Sequence, residues 1–141
     1  MNDKRINMFV LLGAYSVFLI QNVNAVHLET NQDDIIKAIE IVNKLINEQL
    51  NVAQWFTVPQ VIKGAEYEKK VFEREVTNLF HFVNDNNQRN QIDKLIKLIN
   101  KVNATNTHTT NHDVTFEKIS CFLDRLKDFL EILCKTIKCI L

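Results

Sequence analysis

Few side chains in this 141-residue chain could do chemistry, and the most reactive of them come late. Cys121, Cys134 and Cys139 form an odd set within one segment of helical periodicity. On an intact helix rising about 1.5 Å per residue, Cys121 and Cys134 stand roughly 20 Å apart and cannot pair. Cys134 and Cys139 can meet only if the last turn unwinds, the alternative for either being a link between two chains. Cys121 has neither a paired histidine nor a glycine-rich turn beside it, so a buried structural thiol is expected rather than a nucleophile. His108 and His112 are four residues apart, but they lie in a polar loop with no acidic third ligand at helical spacing. His81, between Phe80 and Phe82 on the second helix, reads as a boundary residue rather than a base. No phosphate-cradling glycine loop and no Gly-x-Ser-x-Gly turn occurs. The sequence thus implies no catalytic residue, no metal and no cofactor, and the protein is expected not to be an enzyme.

One motif points to compartment instead. Asn103-Ala104-Thr105 is an N-glycosylation acceptor at the mouth of a polar loop. At the other end, Lys4 and Arg5 precede an apolar run from Met8 to Ile20 and a polar stretch ending in Val23-Asn24-Ala25. That is the pattern of a signal peptide cleaved after Ala25, and the apolar run is shorter than the roughly 20 residues of a membrane span. The expectation is a secreted, extracellular chain, with residues 1–25 removed, residues 26–141 as one domain, and no membrane insertion afterwards. Taking Asp3, Lys4 and Arg5 from balanced totals of 17 acidic and 17 basic side chains leaves the mature chain near neutral, which favours neither nucleic acid nor an anionic membrane as partner.

The elements that must carry these residues read as helices. Beyond the signal the chain has one glycine, Gly64, and one proline, Pro59, too few for the tight turns that sheet-rich folds need. From Asp33 to Leu50, Ile35, Ile39, Val42 and Ile46 form an apolar stripe that Ile36 and Leu45 widen. On its other side Asp33 precedes Lys37, and Glu40 precedes Lys44, by four residues, the more stabilising order. Thr57-Val58-Pro59-Gln60 reads as a helix start, with a short turn at 58–63 and a main second helix from about Ala65 to Val83. After the turn cluster Asn84 to Asn87, a third stripe runs through Ile92, Leu95, Ile96, Ile99 and Val102, with Lys94, Lys97 and Lys101 on its outer face. No aromatic residues interleave those lysines, so an acidic protein surface suits them better than a nucleic acid. Residues 103–113 read as a loop. Phe116, Ile119, Phe122, Leu123, Leu126, Phe129, Leu130, Leu133 and Ile137 then give the strongest helical pattern, expected intact at least through Leu133. Four such helices suggest an all-α four-helix bundle, and the two long connections permit the up-up-down-down arrangement.

Three segments of this sequence resemble the short-chain four-helix cytokines, most of all the interleukin-4/interleukin-13 family. They are Asp33-Asp34-Ile35-Ile36-Lys37, the stretch from Phe56 to Ile62 with Phe72-Glu73-Arg74-Glu75 after it, and Phe122-Leu123-Asp124-Arg125-Leu126-Lys127. The chain departs from the family in having no cysteine between the signal and Cys121, and in placing Ala104 where the family's principal third-helix arginine stands. What the resemblance implies is a cytokine that brings two type I receptor chains together on immune cells in a type 2-like response. Asp34, Lys97 and Lys101 would meet an interleukin-4 receptor alpha-like chain. Ile36, Glu40 and Glu131 would meet a common gamma-like chain. The competing expectation is a secreted helical carrier whose phenylalanines line a cavity for a small apolar ligand.

Overall fold

The computed structural model describes residues 32–60, 66–102 and 114–139, all within one compact unit, Gln32–Leu141. Among these residues are four helices and one two-stranded sheet. The order is α1 (32–47), β1 (Phe56–Pro59), α2 (Glu66–Phe82), α3 (Asn86–Lys101), β2 (Val114–Glu117) and α4 (Ile119–Thr136). The helical reading of the sequence therefore stands. No helix among the described residues is long and apolar enough to cross a membrane.

Each helix exists because its apolar residues recur on one face and are buried there. On α1 the buried positions are Ile35, Ala38, Ile39, Val42 and Leu45, with Ile36 and Ile46 at the edge of the stripe. On α4 they run from Ile119 through Phe122, Leu123, Leu126, Phe129, Leu130 and Leu133 to Cys134. Phe72 of α2 sits between Phe122 and Phe129, with ring centroids 5.9 and 4.9 Å away, and Phe56 of β1 stacks on Phe122 at 5.1 Å. Phe56, Phe72, Phe122 and Phe129 thus pack on one another in the core.

The helix ends follow from backbone hydrogen bonding. At α3, Asp85 caps the first turn by accepting from the Gln88 N–H at 3.3 Å. At the end of α1, Leu50 N–H donates to Leu45 C=O and Gln49 N–H to Ile46 C=O, with Gln49 at φ 54°. This is a Schellman motif, and Leu45 and Leu50, which stand at the positions of its usual apolar contact, are both buried. The same motif ends α4: Cys139 N–H donates to Cys134 C=O and Lys138 N–H to Lys135 C=O, with Lys138 at φ 59°. Here the chain reverses after Thr136 and brings the Cys134 and Cys139 Cα atoms to 5.1 Å, where a disulfide joins them. The unwinding that such a pair requires is this left-handed residue.

Two expectations are corrected by the sheet. The segment 57–60 does not start a helix but belongs to β1, and Phe116 belongs to β2 rather than to the last helix. The strands pair antiparallel, Phe56 with Glu117 and Pro59 with Val114. Phe56 and Val58 turn inward, while Phe116, opposite Thr57, stands 67% exposed. Proline, lacking an N–H, is tolerated at the end of a strand, and Pro59 is the last residue of β1. Side chains from two helices fasten this ribbon. The buried Glu75 carboxylate on α2 accepts from Thr57 N–H and from Asn78 Nδ2, the latter at 2.6 Å. Arg125 Nη2 on α4 donates to Pro59 C=O at 2.8 Å and to Gln60 C=O.

Cys121 supplies a third correction. It is a free, exposed thiol rather than a buried one, because the buried face of α4 passes through its neighbours Phe122 and Leu123 and leaves positions 120, 121 and 124 outward. It borders a depression shared with Thr115 and Glu117 of β2.

Candidate functional site

Positions 37, 40 and 41 of α1 and 91, 94, 97 and 98 of α3 repeat at three- and four-residue steps, so each set lies along one side of its helix. The two sides face one another across a surface groove of about 380 Å³. Ile41 and Leu98, both half-buried, supply its apolar strip, and Lys37, Glu40, Lys94 and Lys97 supply its charge.

The cations differ in how they are held. Lys37 Nζ lies 3.0 Å from Asp33 and Lys97 Nζ 3.2 Å from Asp93, each acid one turn earlier on the same helix. The hydrogen bond that Lys37 Nζ donates to Asp33, together with the charge of that carboxylate, holds the Lys37 ammonium above the ordinary lysine range. All four side chains are about half or more exposed, and pairs of this kind contribute only about 0–1 kcal/mol, so the groove costs little to rearrange around a partner. Lys94 and Glu40 are exposed and make no ion pair among the described residues. An apolar strip flanked by lysines and one carboxylate can recognise a protein surface of complementary charge.

The residues singled out in the sequence scatter around this groove. Glu40 and Lys97 are brought together in it. Asp34 is not: it is 6% exposed, and its Oδ2 has no hydrogen-bond partner among the described residues. Its position one residue before Ile35 turns it toward the core, so the expectation of an exposed receptor contact at Asp34 is corrected. Lys101 is exposed at the end of α3 but does not line the groove. Ile36 packs half-buried against the core and Glu131 lies half-buried on α4. Glu40, expected beside them, faces α3 instead. Sequence reasoning missed Lys37, Ile41 and Leu98, although the step from Lys37 to Ile41 opposite a lysine stripe was a usable signal. Asn103, His108 and His112 lie outside the described residues. Among the described residues no group of three or more His, Cys, Asp or Glu side chains could hold a metal ion.

No family model, curated protein or solved structure matches this chain.

Proposed function

We propose that this protein is a secreted helical cytokine of the up-up-down-down type that binds cell-surface receptor chains through the groove between α1 and α3. The observation that carries the reading is the way helix ends meet. Gln32, at the start of α1, donates to Ile137 C=O just beyond α4 at 3.2 Å. Gln49 and Leu50, just beyond α1, share a depression with Ile119 and Ser120 at the start of α4. Those contacts support an antiparallel α1 and α4. Gln88 near the start of α3 donates to Glu48 at the end of α1 at 3.4 Å, which supports an antiparallel α1 and α3. The short turn between α2 and α3, with Lys69 Nζ donating to Asn100 C=O at 3.3 Å, supports the same for that pair. Two helices each antiparallel to α3 are parallel to one another, and two each antiparallel to α1 are likewise, so α1 and α2 run one way and α3 and α4 the other.

That arrangement leaves α1 beside α3 with an exposed, charged groove between them, as a ligand with separate receptor faces requires. In this reading Glu40, Lys94 and Lys97 steer an interleukin-4 receptor alpha-like chain onto the groove while Ile41 and Leu98 are covered. Ile36 and Glu131 belong to a second face, for a common gamma-like chain. The signal pattern at residues 1–25 and the acceptor at Asn103 support a chain that acts outside the cell.

The test is binding of the Lys94→Glu/Lys97→Glu variant to immobilised type I receptor ectodomains, alongside a thermal melt. Loss of two close charge pairs of about 1.5 kcal/mol each lowers affinity by roughly a hundredfold, while the melting temperature falls by no more than a few degrees, because both lysines are exposed and only the weak Lys97–Asp93 pair is lost. A variant that binds and signals like the parent refutes the groove.

A further inference from the structure

A second concavity, outside the α1–α3 groove, lies where the end of α1 meets the start of α4. It encloses about 640 Å³ and is unlike the groove in its chemistry. Its floor is apolar, formed by Ile46, Leu50 and Ile119, two of which are at most 9% exposed. One wall is Trp55, the only tryptophan of the chain, with 60% of its surface open to solvent. Polar groups on the rim come from Gln49, Asn51 and Lys118, all exposed. Among the described residues Lys118 is the only charged side chain lining the concavity. The rim is preorganised, because the Schellman bonds Gln49 N–H to Ile46 C=O and Leu50 N–H to Leu45 C=O fix the backbone that carries Gln49 and Asn51.

We infer that this concavity is a binding site for a single acidic sugar residue at the exposed end of a glycan. A large indole left open to water is costly unless something covers its face, and a pyranose ring presents a flat C–H face that an aromatic ring can cover. Ring hydroxyls need both donors and acceptors, which the amides of Gln49 and Asn51 supply together. One lysine matches one carboxylate or sulfate. A fatty acid would also match the lysine and the floor, but its alkyl chain forms no hydrogen bond with either amide. The size falls within the roughly 300–1,000 Å³ of small-ligand sites. Nothing in this inference draws on the α1–α3 groove, so either can fail without the other.

Trp55 reports on its own site. Its emission is followed while the purified protein is titrated with N-acetylneuraminyl-lactose, a glucuronate-terminated disaccharide, a sulfated disaccharide, lactose and octanoate. The acidic sugars are expected to change the emission saturably, with lactose weaker by about tenfold, the value of one charge-assisted contact. Which acidic sugar binds best separates a carboxylate from a sulfate source. Lys118→Ala should lose that tenfold preference while melting like the parent, since Lys118 makes no side-chain cap on α4. Trp55→Phe, followed by calorimetry, should weaken the acidic sugars while retaining their order over lactose. The inference is overturned if acidic sugars leave the emission unchanged, if octanoate binds more tightly than all of them, or if Lys118→Ala retains the full preference.

Discussion

Replacing Glu75 with alanine should detach the ribbon from α2 and lower the stability of the whole domain. Glu75 is 5% exposed, and its two oxygens serve Thr57 N–H, Asn78 Nδ2 and, at 3.8 Å, Arg74 Nε. A hydrogen bond to a charged acceptor contributes about 1.5–3 kcal/mol. Asn78 is exposed and regains water in the variant, so the loss is dominated by the part-buried bond from Thr57 N–H. The net cost is about 2–3 kcal/mol, which at roughly 4–8 °C per kcal/mol for a domain near this size lowers the melting midpoint by about 8–24 °C. Glu75→Gln retains one acceptor oxygen and should cost about 1 kcal/mol. Amide exchange at Thr57 gives the site-specific readout, because a loss of about 2 kcal/mol accelerates exchange roughly thirtyfold if the ribbon opens locally. A Glu75→Ala protein that melts within a degree or two of the parent, with Thr57 exchange unchanged, would refute the carboxylate as the ribbon's anchor.

Two further outcomes follow from burial and backbone geometry. Gln49→Gly and Lys138→Gly should each raise stability by about 0.5–1 kcal/mol in thermal melts, since both residues occupy left-handed φ that glycine adopts freely, although glycine's larger unfolded-state entropy offsets part of the gain. Phe122→Ala should cost about 3–5 kcal/mol in denaturant unfolding, whereas Phe116→Ser should stay within about 0.5 kcal/mol, because the first ring is fully buried and the second stands in solvent.

How much of this was legible in the sequence depended on the range of the interaction that decided it. The helices were legible because an apolar stripe of period 3.6 over 16 to 18 residues is a long, redundant signal, and α3 and α4 fall where Ile92, Leu95, Ile99 and Phe122 to Leu133 put them. The turn at 84–87 was legible for the same local reason, since Asp85 caps α3 with its own side chain. The strands were not. Four residues carry too little periodicity, and Thr57-Val58-Pro59-Gln60 suits a helix start as well as a strand end. Pairing with Val114–Glu117 some sixty residues away, together with the Glu75 and Arg125 contacts, decided between them.

The candidate site divides along the same line. That Lys94 and Lys97 share an outer face is a property of one helix and its sequence. That Glu40 joins them, that Asp34 turns inward and that Cys121 turns outward are properties of how helices rotate against one another. A rotation of 100° per residue exchanges a buried neighbour for an exposed one, so no local pattern fixes them. The cysteines show both regimes in one helix. Sequence spacing by itself excluded a Cys121–Cys134 bridge along an unbroken helix. Only the left-handed turn at Lys138, within the folded cap, brought Cys134 and Cys139 together.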